Sequence, residues 1–172
     1  MNKNMYSGLA EATDRSETQL MEQRIALSAG ETFWVVGHRV TLLPAGNSYT
    51  YTDVFSPART AGPPPHRHTD CSEFFHVLEG RVDFTVGEDH LQLGPGESVL
   101  VPRNVVHTFH PAGESSSRVI TVFAPGGFDH WFRDMGVPVD EPNGRELSLG
   151  PALIERILRD STRYHMEIVA GK

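Results

Sequence analysis

Residues 62–80 read Gly62-Pro63-Pro64-Pro65-His66-Arg67-His68-Thr69-Asp70-Cys71-Ser72-Glu73-Phe74-Phe75-His76-Val77-Leu78-Glu79-Gly80. His66 and His68 stand two apart, and in a strand such residues point to the same side. Glu73 opens the following strand after a four-residue gap, enough for a turn. Proline fixes φ and donates no hydrogen bond, so Pro63-Pro64-Pro65 reads as a rigid, extended approach to His66. His107 lies on a later strand-like segment, Val105 to His110. Three imidazoles and one carboxylate are a suitable set for one divalent transition ion. On the inner wall of a barrel they would leave one or two positions for substrate, water or O₂.

The surrounding sequence supplies the barrel. Thr32 to Gly37, Arg39 to Leu43, Ser48 to Phe55, Glu73 to Glu79, Arg81 to Val86, His90 to Leu93, Ser98 to Val101, Val105 to His110 and Arg118 to Phe123 all read as short strands. Turn signals separate them: Pro44-Ala45-Gly46-Asn47, Gly80, Gly87, Gly94-Pro95-Gly96, Pro102 and Pro111-Ala112-Gly113. Even spacing of this kind means a sandwich or small barrel. After Gly127 the period becomes helical. Phe128, Trp131, Phe132 and Met135 form one stripe, and Leu153, Ile154, Ile157 and Leu158 form a second behind Pro151. Two helices whose apolar faces cover the barrel or a partner subunit are expected, the aromatic stripe serving as core packing. Residues 1–28 read as an N-terminal arm, with a capping box at Ser16-Glu17-Thr18-Gln19. The expected division is arm 1–28, barrel 29–126 and helical extension 127–172.

Composition narrows the function. A chain of 172 residues fits one domain with a sizeable core. Lys plus Arg number 15 against 22 for Asp plus Glu, a formal charge of -7 that argues against a nucleic-acid partner. No apolar run approaches the length of a membrane-spanning helix. Cys71 is the single cysteine, which excludes intramolecular disulfides and cysteine-rich zinc modules. The lone thiol and the polar N-terminal stretch lead to an expected cytoplasmic location.

Two spaced patterns resemble the motifs of the cupin superfamily. The first is a glycine, His-x-His, a short gap, Glu, six residues and Gly, met here by Gly62, His66, His68, Glu73 and Gly80, with the leading glycine two residues closer than usual. The second is met by Gly96, Pro102-Arg103-Asn104 and His107, with Asn104 in place of the turn glycine and Pro111 where the family has Asn. Asn also tolerates positive φ. The flanks Trp34-Val35-Val36-Gly37 and Phe123-Ala124-Pro125-Gly126-Gly127-Phe128 look like those of quercetinase-type single-domain members. The resemblance implies an all-β double-stranded β-helix, a jelly-roll barrel, with His66, His68, Glu73 and His107 holding one divalent transition metal (Fe, Mn, Ni, Co, Cu or Zn). It further implies a metal-dependent dioxygenase using O₂ on an aromatic or enolic small molecule, with Glu73 both ligand and base, in a homodimer. A redox-neutral isomerase or decarboxylase, or a non-catalytic small-molecule binder, is the alternative on the same fold.

Alternation from Glu73 turns Phe75 and Val77 inward and Phe74 and His76 outward. From His107 it turns Val105 and Phe109 inward and His110 outward. Phe75 and Phe109 are thus candidate pocket walls, and Tyr51, beside Tyr49 on a neighbouring strand, is a third. Tyr49, Tyr51 and Phe55 share one face on which Asp53 is the polar exception, its role left open. Cys71 reads as an inert loop thiol. His38, His90, His130 and His165 lack partners at ligand spacing and read as surface or core histidines. Gly94-Pro95-Gly96 precedes a strand, so it is a turn and not a dinucleotide loop.

Overall fold

The structure, a computed structural model, describes residues 30–45 and 47–169. The expected arm over residues 1–28 lies outside the described residues. Strands run in chain order as β1 (Glu31–Val35), β2 (His38–Leu43), β3 (Thr50–Ser56), β4 (His66–His68), β5 (Ser72–Glu79), β6 (Val82–Val86), β7 (Asp89–Leu93), β8 (Ser98–Val101), β9 (His107–Pro111) and β10 (Ser117–Ala124). Then come α1 (Asp129–Met135), β11 (Val137–Pro138), α2 (Gly144–Ser148), α3 (Pro151–Asp160), a 3₁₀ turn over Ser161–Tyr164 and β12 (Met166–Ile168).

All pairings are antiparallel and build two sheets, β11-β1-β2-β3-β10-β5-β8 and β12-β4-β9-β6-β7. They pack face to face as the jelly-roll reading requires. Phe75 of the larger sheet meets Phe84 and Phe109 of the smaller at ring separations of 5.1 and 5.2 Å. Residues 127–172, read as a helical extension, also contribute strands: β11 joins β1 and β12 joins β4. The stretch between the two expected helices contains the short α2, which the sequence did not signal.

Two local features position the site. Val36 and Gly37 both take positive φ, 48° and 82°, giving the two-residue hairpin turn whose twist suits paired strands. The Ser148 hydroxyl of α2 accepts the Gly37 N–H at 3.0 Å, so the helix holds the turn that starts β2. Gly62 has φ of 80°, and a Cβ there would lie 1.9 Å from the Phe109 carbonyl oxygen. Only glycine lets the proline run approach β9 this closely, and Thr108 Oγ1 then donates to the Pro63 carbonyl at 2.6 Å.

Helix α1 is seated by β3. Thr50 Oγ1 accepts the N–H groups of Gly127 and Asp129 at 3.2 and 3.1 Å. That turns Trp131, Phe132 and Met135 into the core, as their spacing predicts. In α3 only Ile157 is fully buried, and Leu158 is exposed.

Candidate metal centre

His66 and His107 stand directly opposite each other on β4 and β9, and His68 follows on the same side of β4. Glu73 is the second residue of β5 in the other sheet, so the four side chains meet between the sheets, all buried. Their ligand atoms lie within 4.8 Å of one another. Glu73 Oε2 is 2.9 Å from His107 Nε2 and 3.2 Å from His68 Nε2. Two donors each ~2.1 Å from one ion and roughly at right angles would stand about 3 Å apart, so these spacings suit a shared cation. Asn104 takes φ of 64°, and its N–H donates to the His68 carbonyl at 2.8 Å, fixing the second motif's turn against the first.

The outer nitrogens of two rings are already used. His66 Nδ1–H donates to the Pro64 carbonyl at 2.9 Å, and His107 Nδ1–H donates to the Val105 carbonyl at 3.1 Å. A carbonyl only accepts, so each ring keeps a proton on Nδ1 and turns Nε2 inward, and the neutral form of either ring offers that nitrogen's lone pair to a metal. Without a metal, the hydrogen bond from His107 Nε2 to Glu73 needs a proton on that nitrogen. His68 has both ring nitrogens buried and without a hydrogen-bond partner among the described residues. Buried polar atoms rarely go unpartnered, and a cation at the cluster would satisfy Nε2.

The electrostatics agree. Burial, reinforced by His107 and His68, lowers the His66 pKa to about 3, leaving it neutral and free to ligate. Burial works to raise Glu73, but His107 and His68 outweigh it and hold the carboxyl at about 2. Burial likewise opposes the charge on His107, yet the Glu73 carboxylate wins and raises its pKa. The residues fit a divalent cation: one formal negative charge, three imidazoles and an orphaned nitrogen.

His66, His68 and Glu73 form part of the lining of a cavity of about 80 Å³ with nearly all-apolar walls, including Val40, Val54, Phe109, Phe123, Phe128 and Trp131. Phe128, the residue that leads into α1, lies edge-on to His68 at 4.6 Å and packs against the site. Of the expected walls, Phe109 lines the cavity. Phe75 is fully buried among Phe84, Phe109 and His107 as barrel core. Tyr51 is a correction. On β3 it is Thr50, Thr52, Val54 and Ser56 that turn inward, while Tyr51 lies outside with Tyr49, Phe74 and His76. The interior asks this strand for hydroxyls, which cap α1, pair Thr52 with Thr121 and reach His38, so the aromatic residues take the outer face. Asp53 is explained there too, held by Arg118 on that face. Cys71 is buried, and burial with Asp70 pushes its thiol up to about 12, consistent with an inert role.

One residue read only as a surface or core histidine shares the cavity. His38 lines it beside Val35 and Val40. Its Nδ1 shares a 2.8 Å hydrogen bond with Ser56 Oγ, and its Nε2 is buried without a partner among the described residues. Burial, then Arg145, lowers its pKa to about 4. Nothing in the His38–Ser56 spacing signals the pair, because strand register creates it.

Residues 54–123 match the family model described as cupin domain. Quercetin 2,3-dioxygenase of Bacillus subtilis (strain 168) is 32% identical over 75 residues, which are 44% of this chain and 22% of that protein. Germin-like protein 3-7 of Oryza sativa subsp. japonica is 32% identical over 103 residues, 57% of this chain and 38% of that protein. The chain thus spans well under two thirds of these curated relatives. Among solved structures, an RmlC-like cupin from Shewanella frigidimarina NCIMB 400 superposes with TM-score 0.52 at 20% identity, over 59% of this chain and 88% of that one. The nucleoside dehydratase Pac13 of Streptomyces gives 0.50 at 18%, over 59% and 81%. At these identities the structures speak for the fold alone. Among the described residues no helix is long and apolar enough to cross a membrane. The matched sequence and the two facing sheets lead to one conclusion: the chain has the cupin fold, residues 54–123 match the cupin-domain model, and a buried donor set between the sheets could hold a metal.

Proposed function

We propose that the chain is a metal-dependent dioxygenase acting on a compact aromatic or enolic small molecule. One observation carries the reading: a buried three-histidine, one-carboxylate cluster contributes directly to the wall of an apolar cavity. The likeness to quercetin 2,3-dioxygenase supports it. His66, His68, Glu73 and His107 would hold one divalent transition ion, which when bound would supply positive charge and open positions for a substrate oxygen and O₂.

The chain's own groups do the rest. Apolar walls exclude water and favour a flat, lipophilic ring. Glu73 Oε2, ionised and inside the cluster, is the acceptor for the proton of a substrate hydroxyl. Phe128, just before α1, and Trp131 within it line the cavity and would cover the bound molecule. The cavity, at about 80 Å³, is far below the roughly 300–1,000 Å³ of sites for drug-sized ligands, which favours a single-ring substrate over a three-ring flavonol.

The test is O₂ uptake by metal-replete protein across monocyclic catechols and enols, with a flavonol for comparison. Uptake with the monocyclic compounds, abolished in His66→Ala, is the expected result. Turnover that persists without oxygen would replace the reading by isomerase or decarboxylase chemistry, and binding without turnover by a non-catalytic role. The expected homodimer belongs to the same proposal. The outer face of the larger sheet exposes Tyr49, Phe74, Leu78 and Leu100, and a second copy of the chain is its proposed cover. A dimer mass by light scattering that falls to monomer in Leu100→Asp would bear this out. The cytoplasmic location is tested by cell fractionation.

A further inference from the structure

His38 has no part in the four-residue cluster, yet it is buried and held in place. The Val36-Gly37 turn sets the start of β2, Ser148 holds that turn, and Ser56 on the next strand holds Nδ1. The ring lies beside Phe109, 5.5 Å between centroids, in the same apolar wall. His38 is a lining residue, and its Nε2 is buried with no partner among the described residues. Native proteins seldom bury such an atom without use for it. An apolar cavity with a few placed polar groups is also the usual design of a small-molecule site, in which the polar groups fix orientation.

We propose that His38 Nε2 is the second polar contact of this cavity, hydrogen-bonding an oxygen on the edge of the substrate that does not face the Glu73 cluster. The inference rests on reading the cavity as the substrate site, and it sharpens the substrate class: a single ring or compact enol with oxygen functions on two separate edges. Because Ser56 can donate to Nδ1 or accept from it, Nε2 can offer either a proton or a lone pair. The contact therefore serves a hydroxyl, a carbonyl or a nitro oxygen. A ligand with only one polar edge would leave Nε2 unpaired and bind more weakly.

The experiment uses zinc-loaded, redox-silent protein and three probes: catechol, 3-nitrocatechol and 4-nitrocatechol. Binding is read by quenching of Trp131, which lines the cavity, and by the absorption shift of the nitrocatechols. His38→Asn keeps an amide near the Nδ1 position for Ser56 and withdraws the reach of Nε2. His38→Gln restores an amide near that reach and controls for misfolding. At least one nitrocatechol should lose about tenfold in affinity in His38→Asn and recover to within about threefold in His38→Gln, while catechol changes less than about twofold. Equal changes for all three probes, or none, would overturn the proposal while leaving the substrate-site reading intact. Loss of bound zinc in His38→Asn would also overturn it, by placing His38 in the cluster. Failure of all three probes to bind wild-type protein would remove the substrate-site reading itself, and this proposal with it.

Discussion

Four histidines are buried between the sheets, three of them lining one cavity, and those whose Nδ1 has a partner fall into two kinds. His66 and His107, in the cluster with His68 and Glu73, give their Nδ1 protons to backbone carbonyls. A carbonyl cannot donate, so Nδ1 keeps its proton and Nε2 is the nitrogen left for a cation, by its lone pair in neutral His66 and after loss of the proton it shares with Glu73 in His107. His38, on the wall formed by β2 and β3, gives Nδ1 to a hydroxyl that can act either way. Its inner nitrogen keeps both options and suits a ligand of either polarity. The partner of the outer nitrogen thus helps to set what the inner one can bind.

The sharpest break between the two kinds is metal content. Untagged wild-type protein should hold one divalent metal per chain by elemental analysis. His66→Ala and His107→Ala should each lower affinity by about 100-fold or more, whereas Ser56→Ala should leave the stoichiometry unchanged. Metal loss from Ser56→Ala would merge the two sites.

Acid separates them next. His38 at about 4 and His66 at about 3 lie below the ordinary 6.5, so the unfolded chain binds protons that the folded one refuses. Stability of the metal-free protein should therefore fall as pH drops from 6.5 to 4. His38 alone accounts for about 3 kcal/mol of that fall, and His38→Asn should remove its share of the slope in thermal melts. Glu73 adds a further decline from 4.5 towards about 2, because its folded pKa is depressed. His107 has the opposite sign: its raised pKa stabilises below 6.5, and that contribution is lost as pH rises through the folded value. A wild-type slope in His38→Asn would assign the whole dependence to the cluster.

Smaller effects probe the supports. Ser56→Ala leaves His38 Nδ1 buried and unpartnered and should cost ~1–3 kcal/mol in denaturant unfolding. Tyr51→Phe, on the outer face of β3, should change stability by less than about 0.5 kcal/mol and leave metal content and probe binding alone. A clear loss of binding in Tyr51→Phe would return Tyr51 to the cavity.

The cluster was legible because its chemistry is local. His66, His68 and Glu73 sit within eight residues, and strand alternation alone puts both histidines on one side. Most strands were legible too, since glycine and proline punctuate them. β3 misled because hydrophobicity is a poor guide where a core needs hydroxyls. Its aromatic residues made the outer face look like the inner one, and Asp53 on that face was the residue that contradicted it. His38 was missed for a different reason. Its partner Ser56 is 18 residues away, and only the β2–β3 register brings them together. The strands β11 and β12 escaped notice because segments of two and three residues carry too little pattern.

Those two strands also set an order of events during synthesis. β12 flanks β4, and Arg67 pairs with Glu167, 100 residues away in sequence. As the chain leaves the ribosome, His66 and His68 emerge long before the strand that covers their edge. β1 waits in the same way for β11 in the larger sheet. Contacts of such separation are entropically expensive to form and slow folding. The strand that bears two of the four proposed ligands is therefore among the later parts of the domain to be completed, and a nascent chain halted before β12 would present them on an open sheet edge.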